Sequence, residues 1–434
     1  MKLFHTKLLS RGLVGICVVA AAATVLTACG SESDPPTITW YAFPDNGGAA
    51  ERAHRCADAS GGAYRVRIEV LPADATMQRE QLVRRLAARD SSIDVFSLDV
   101  AYVAEFANAG FLRPFSDADA MELTAGMLPA PVATGRWNNT LYAAPFKTNI
   151  QVLWFKKSMA AAAGVDPRSP DFTWDKVIEA AVSQGKKIGV QGARYEGYMQ
   201  WVTALISSAG GRIVSDPEAG RHAAPSMAGP AGAKAADIVG GLARSGAAPA
   251  DLSVAREEQA RANFQSDQGM FMVNWPYVLA AGRTAVEQGT LARSVLDDYG
   301  FARYPRVFAD KPSTPPLGGT DLAVGAYGRH PDRAVSLIEC VNAPDKATQY
   351  MLDEGEPSPY AASYDDPKVR ASYPDADLIR QSVTEAGSRP ITPYYPDIAG
   401  SVINTWHPPA SVRAGTPAAT DAFMSDVLSG KRLL

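Results

Sequence analysis

The chain has 434 residues, 42 of them basic and 46 acidic, for a formal net charge of −4 without a long run of either sign, a balance that argues against a nucleic-acid partner. Its length exceeds what one hydrophobic core ordinarily supports, so two lobes are expected. Beyond residue 29 no uninterrupted apolar stretch is long enough to cross a bilayer.

Residues 1–28 read as a lipoprotein signal peptide. Lys2, Lys7 and Arg11 form a cationic start, Leu13 to Leu26 an apolar run too short to span a membrane comfortably, and Leu26-Thr27-Ala28-Cys29 a lipobox-like end. The expectation is acylation of Cys29, cleavage just before it, and a mature chain held at the outer face of the cytoplasmic membrane. An ordinary signal followed by an incidental cysteine is the alternative. Residues 29–36 then form a polar tether, too poor in apolar side chains to fold by itself. With Cys17 lost and Cys29 lipidated, Cys56 and Cys340 remain where disulfides persist, and they are expected to pair rather than stay as separate buried thiols.

Thr37 to Phe43 alternates with the period of a strand, and Asp45-Asn46-Gly47-Gly48 is a turn. A helix over Glu51 to Ala59, a strand over Tyr64 to Leu71, a helix marked by Met77, Leu82 and Leu86, and a strand from Ile93 to Asp99 follow. This alternation predicts a mostly parallel sheet with helices on its faces, in which binding residues gather at strand ends. Further on, a second stretch opens at Leu141 to Pro145 and runs through Gln151 to Phe155, and a short apolar strand is expected at Met270 to Val273. Helices are expected from the Thr173 cap, over Met199 to Ala209 and over Gly232 to Ala243. Gly318-Gly319 reads as a turn into a strand, and Arg333 to Leu352 as a helix broken at Pro344.

No G-x-S-x-G elbow, Walker loop, H-E-x-x-H or C-x-x-C motif occurs, and the histidines are scattered. No cofactor or metal site is expected, and a carboxylate pair at glycosidase spacing is the strongest enzymatic alternative. What does recur at element ends is an aromatic side chain near an acid or amide: Trp40, Tyr41 and Phe43 before Asp45, then Asp99, Asn149 with Gln151, and Trp275. Flat rings suit the C–H faces of a pyranose, and carboxylates accept from its hydroxyls. A helix cap or a core tryptophan is the plainer reading of each residue alone.

Several stretches together resemble the extracellular solute-binding proteins of carbohydrate ABC importers, the family typified by maltose-binding protein. They are Asp94-Val95-Phe96, Gly110 to Phe115, Leu141 to Pro145 with Leu153-Trp154-Phe155, Phe172 to Asp175, and Gly318 to Val324. Within that family the chain looks most like trehalose-binding lipoproteins of actinobacteria, at Ser97 to Val100, Ala104 to Gly110, Thr148-Asn149, Ser208 to Gly211, Val273 to Pro276 and Arg389 to Pro393. The resemblance implies an α/β, two-lobed periplasmic-binding-protein fold of type II, each lobe a mostly parallel sheet flanked by helices, joined by a multi-strand hinge. Residues 37–145 and 303–362 would form one lobe, 146–302 and 363–434 the other. It further implies a monomeric, non-enzymatic receptor that binds a disaccharide, trehalose first, and delivers it to ABC permease subunits. The implied ligand contacts are Asp45, Asp99, Asn149, one of Glu257 and Glu258, Trp275, the Gly318-Gly319 backbone and Arg389. Lys147 and Ile150, beside Asn149, depart from the small or polar residues expected there. A lipid-anchored scaffold with a vestigial cleft is the third reading.

Overall fold

The computed structural model describes residues 34–434. The signal segment, Cys29 and most of the tether lie outside the described residues. Twelve strands follow in chain order among the described residues: β1 (Thr37–Ala42), β2 (Arg65–Val70), β3 (Val95–Asp99), β4 (Leu112–Arg113), β5 (Arg136–Trp137), β6 (Thr140–Leu141), β7 (Ala143–Ile150), β8 (Val152–Lys156), β9 (Lys187–Gly189), β10 (Gly269–Asn274), β11 (Tyr299–Ala302) and β12 (Leu317–Gly325). Two sheets organise the lobes. The first has the order β2-β1-β3-β12-β4, with β7 also paired to β12; the second has the order β11-β8-β10-β9.

The two-lobed α/β architecture is present, but its sheets are mixed rather than mostly parallel. β1 runs parallel to β2 and β3, as the opening alternation predicts, whereas β12 is antiparallel to β3, β4 and β7. In the second sheet only β10 and β9 are parallel. The cause is the path of the chain. β7 of the first sheet passes through Gln151 directly into β8 of the second, and the chain re-enters the first sheet only at β12, from the opposite direction. A third passage, 355–360, runs beside β7, where Thr148 N donates to Pro357 O at 3.1 Å. After it Tyr364, Val369, Tyr373 and Ile379 join Val152, Trp154 and Phe301 in the core of the second sheet.

Gly318 and Gly319 are not a turn: β12 runs straight through them. Gly319 has φ 132°, and a Cβ there would come within 2.5 Å of Lys147 O on β7. A side chain is therefore excluded by both backbone conformation and the neighbouring strand. Pro344 separates helices Pro331–Val341 and Pro344–Glu354, as expected. In helix Ala75–Ala87, Leu82 and Leu86 are fully buried, while Met77 is 56% exposed and marks the outer face. Cys56 and Cys340 form a disulfide, with their Cα atoms 5.9 Å apart. It ties helix Gly48–Ala59 to helix Pro331–Val341 on one face of the first sheet. No helix of the described residues is long and apolar enough to cross a membrane.

Candidate functional site

A cleft of about 640 Å³ lies between the ends of the two sheets, and Asp45, Asp99, Asn149, Glu257, Glu258, Trp275, Gly318 and Gly319 all line it. Arg389 is absent from that lining. Positions spread over more than 270 residues thus meet at one place because strand ends of both sheets converge there.

The first lobe contributes its loops after β1 and β3. Asp45 Oδ1 accepts from Gly47 N and Oδ2 from Ala49 N, both at 2.8 Å, while Tyr350 Oη donates to Oδ2 at 3.0 Å. These bonds close the start of helix Gly48–Ala59 and hold the carboxylate in place. Glu354 grips the same loop from behind, accepting from Asn46 N and Nδ2 and from Gly48 N at 2.9–3.1 Å. Asp99 ends β3, and its Oδ1 accepts from Ala101 N at 2.9 Å and from Arg389 Nη2 at 2.8 Å. Asp99 is therefore a helix cap and Asp45 a brace of the loop before a helix, and both also line the cleft.

Arg389 stands behind the wall, its side chain only 1% exposed. Its second nitrogen, Nη1, donates to Glu196 Oε1 at 2.6 Å, and Tyr395 Oη donates to the same oxygen. Arg389, expected as a ligand contact, is placed as a buried support whose two terminal nitrogens orient Asp99 and Glu196. Burial raises the Glu196 carboxyl above its ordinary range, with Asp99 adding to the rise and Arg389 opposing it. Burial would lower the Arg389 guanidinium, but Asp99, Tyr395 and Glu196 outweigh that and hold it well above its usual value.

On β7, Asn149 Nδ2 donates to Glu356 Oε2 at 2.6 Å, and Lys147 Nζ donates to Glu356 Oε1 at 2.8 Å. Lys147 also sits 4.1 Å from the centre of the Phe43 ring. Lys147 is therefore a paired member of the wall, while Ile150 is fully buried and lies off it.

The second lobe contributes Trp275, just past β10, and the first turn of helix Glu257–Gln265. The indole edge approaches Gly318 so closely that a Cβ there would lie 3.0 Å from it. Glu258 accepts from Tyr277 Oη at 2.5 Å and pairs with Arg261. Burial would raise the Glu258 carboxyl, but Arg261 and Tyr277 bring it below its ordinary value. Glu257, packed beside Tyr195, is raised by burial. Glu258 is thus committed to Tyr277 and Arg261, while Glu257 is held beside Tyr195 in the more buried position of the two.

Sequence reasoning missed Asp74, Tyr195, Glu196, Arg256, Tyr277, Glu354 and Glu356, all on the cleft lining. For two of them a signal existed. Glu354-Gly355-Glu356 places carboxylates on both sides of a helix-ending glycine with φ 73°, a position that turns both toward the strand ends. The others are brought in by tertiary contacts alone.

Two lobes, a cleft between them and a wall of acids, amides and aromatic rings define a solute-binding protein. Residues 61–348 match the family model described as bacterial extracellular solute-binding protein, and the chain belongs to that family. A Deinococcus radiodurans protein described as a probable ABC transporter-binding protein is 27% identical over 381 residues, 85% of this chain and 87% of its own length. Among solved structures, maltose-bound MalE3 of T. maritima superposes with a TM-score of 0.78 at 22% identity, covering 91% of this chain and 100% of that one. UgpB of Mycobacterium tuberculosis in complex with glycerophosphocholine gives 0.73 at 18% identity, covering 92% and 99%. At such identities the solved structures speak for the fold alone.

Proposed function

We propose that the chain is the lipid-anchored receptor of an ABC sugar importer, that it holds a disaccharide, trehalose first, in the cleft between its lobes, and that it hands the sugar unaltered to membrane permease subunits. The observation that carries this reading is the convergence of Asp45, Asp99, Asn149, Glu257, Glu258 and Trp275 on one cleft of about 640 Å³, a size within the range of small-molecule sites. Carboxylates held by backbone amides are fixed acceptors for sugar hydroxyls, and the Trp275 face is a platform for a pyranose ring. Support also comes from the relatives: a protein described as ABC transporter-binding matches most of the chain, and maltose occupies one structural neighbour. The finer likeness is to the actinobacterial trehalose-binding lipoprotein LpqY, at the residues given above.

Lobe closure traps the ligand, since each lobe supplies only part of the lining. A disaccharide of about 23 heavy atoms at ~0.3 kcal/mol per atom gains roughly 7 kcal/mol, a dissociation constant on the order of 10 μM. Titration calorimetry with trehalose, with maltose and glycerophosphocholine as comparators, tests the reading, with the recovered sugar checked for integrity. Saturable binding of intact trehalose is expected. Cleavage of the sugar would instead make the protein an envelope glycoside hydrolase, and silence across a panel of sugars would leave it a scaffold.

A further inference from the structure

We propose that Arg256 is a positioning residue that clasps the two lobes across the cleft mouth before any ligand arrives, through its ion pair with Asp74. Asp74 belongs to the first lobe: it caps helix Ala75–Ala87, its Oδ1 accepting from Met77 N at 3.0 Å. Arg256 belongs to the second lobe, where it precedes helix Glu257–Gln265, which packs on β10 and β9. Its Nη1 donates to the other oxygen of Asp74, Oδ2, at 2.8 Å.

Arg256 is held ready for this contact from two directions. Its backbone N donates to Gln259 Oε1 at 3.1 Å, and its guanidinium lies 4.4 Å from the centre of the Tyr195 ring. Tyr195 in turn folds flat over the start of helix Glu196–Ser208, where a Cβ at Gly197 would fall 2.3 Å from the phenol oxygen. A glycine at 197 is thus what lets the ring lie under the guanidinium. Much of the side-chain entropy that an exposed ion pair ordinarily loses is already spent on this stack. The guanidinium side of the pair remains open to water, with Arg256 47% exposed against 11% for Asp74, so the contact can break and re-form from that side.

An exposed pair of this kind shifts a two-state balance roughly twofold to fivefold. Closure without ligand then raises apparent affinity by the fraction of molecules already closed. That last consequence rests on the sugar-receptor reading; the clasp itself does not.

The test is a distance distribution by pulsed electron resonance, without sugar. Spin labels sit on ketone-bearing residues at exposed positions 121 of the first lobe and 182 of the second, so that the native cysteines are untouched. Asp74→Asn keeps the helix cap, since asparagine caps as well as aspartate, and removes only the charge. It should lower the closed-to-open ratio about twofold to fivefold. Arg256→Gln added to it should change nothing more. Gly197→Ala, which displaces Tyr195, should open the lobes in the same direction. High salt should open the wild type and leave Asp74→Asn unmoved. Identical distances in wild type and Asp74→Asn, or additive effects of the two charge-removing substitutions, would overturn the clasp. In a second arm, the trehalose dissociation constant of Asp74→Asn should rise by the same factor as its closed fraction falls. Failure of wild type to bind trehalose would sink the receptor reading while leaving the distance result standing.

Discussion

Two arginines of the second lobe each reach a helix-capping aspartate of the first, and burial gives the two pairs opposite characters. At the cleft floor Arg389 and Asp99 are 1% and 16% exposed, and Glu196 shares the same guanidinium. At the mouth Arg256 is 47% exposed and has one carboxylate partner, Asp74, at 11%, so the contrast lies in the arginines. The floor is over-supplied with acid. Asp99 and Glu196 share one cation, Asp321 is close enough to Asp99 to feel its charge, and burial raises both Glu196 and Asp321. Breaking the floor pair strands buried carboxylates, whereas breaking the mouth pair returns the arginine to water and leaves Asp74 its bond from Met77 N. The same chemistry is therefore structural in one place and adjustable in the other.

The sharpest way to break this comparison is Arg389→Ala. It leaves Glu196 and Asp99 without their cation in a buried site and should cost about 3–5 kcal/mol of stability in urea unfolding. A loss below about 1 kcal/mol, the range of exposed pairs, would erase the distinction between floor and mouth. Between the two pairs stands Trp275, which takes no part in either. Trp275→Ala should weaken trehalose binding about tenfold to hundredfold by calorimetry, with far less effect on unfolding. If affinity were unchanged, the ligand would not lie against this wall.

Asp321 sharpens the account of the floor through its proton. Thr134 has a single hydroxyl hydrogen, yet its oxygen is 2.7 Å from Pro131 O and 3.0 Å from Asp321 Oδ2, both of them acceptors when the carboxyl is ionised. A proton on Asp321 resolves the conflict, since the acid then donates to Thr134, which donates to Pro131. Burial, with Asp99 adding to it, pushes the Asp321 carboxyl well above its usual range. Because the folded value lies above the unfolded one, the stability this group contributes is full at pH below about 3.9 and is lost as pH rises through the folded value. Asp321→Asn should abolish that decline in a series of thermal melts, the wild type falling with pH where the variant stays flatter. Parallel curves would mean that the carboxyl is ionised throughout.

The outer parts of this arrangement were legible in the chain because they are local. Thr37 to Phe43 carries its own strand signal, Thr173 announces its helix, and Asp45 and Asp99 follow or end strands. The pairing of Arg389 with Glu196 was not legible, since the two are 193 positions apart and nothing in either neighbourhood names the other. The same holds at the mouth, where Asp74 and Arg256 are 182 positions apart. The glycines at 318 and 319 were misread for a related reason. A glycine pair signals a turn when only local preference is weighed, but here it answers the close approach of β7, a neighbour that sequence order conceals. Mixed sheets were hidden likewise, because β12 reaches its partners only after the whole second sheet has been built.

The smallest effect is also the one that separates the two arginines most cleanly. Arg256→Gln removes a half-exposed charge whose partner, Asp74, keeps its bond from Met77 N and regains water on the other oxygen. Global unfolding should therefore shift by less than about 1 kcal/mol, and the difference should shrink in high salt, where a half-exposed pair is screened. The floor pair is shielded from salt by burial, so the cost of Arg389→Ala should persist under the same conditions. Equal salt sensitivity of the two variants in urea unfolding would mean that water reaches the floor as readily as the mouth, and the contrast in burial would then carry no energetic weight.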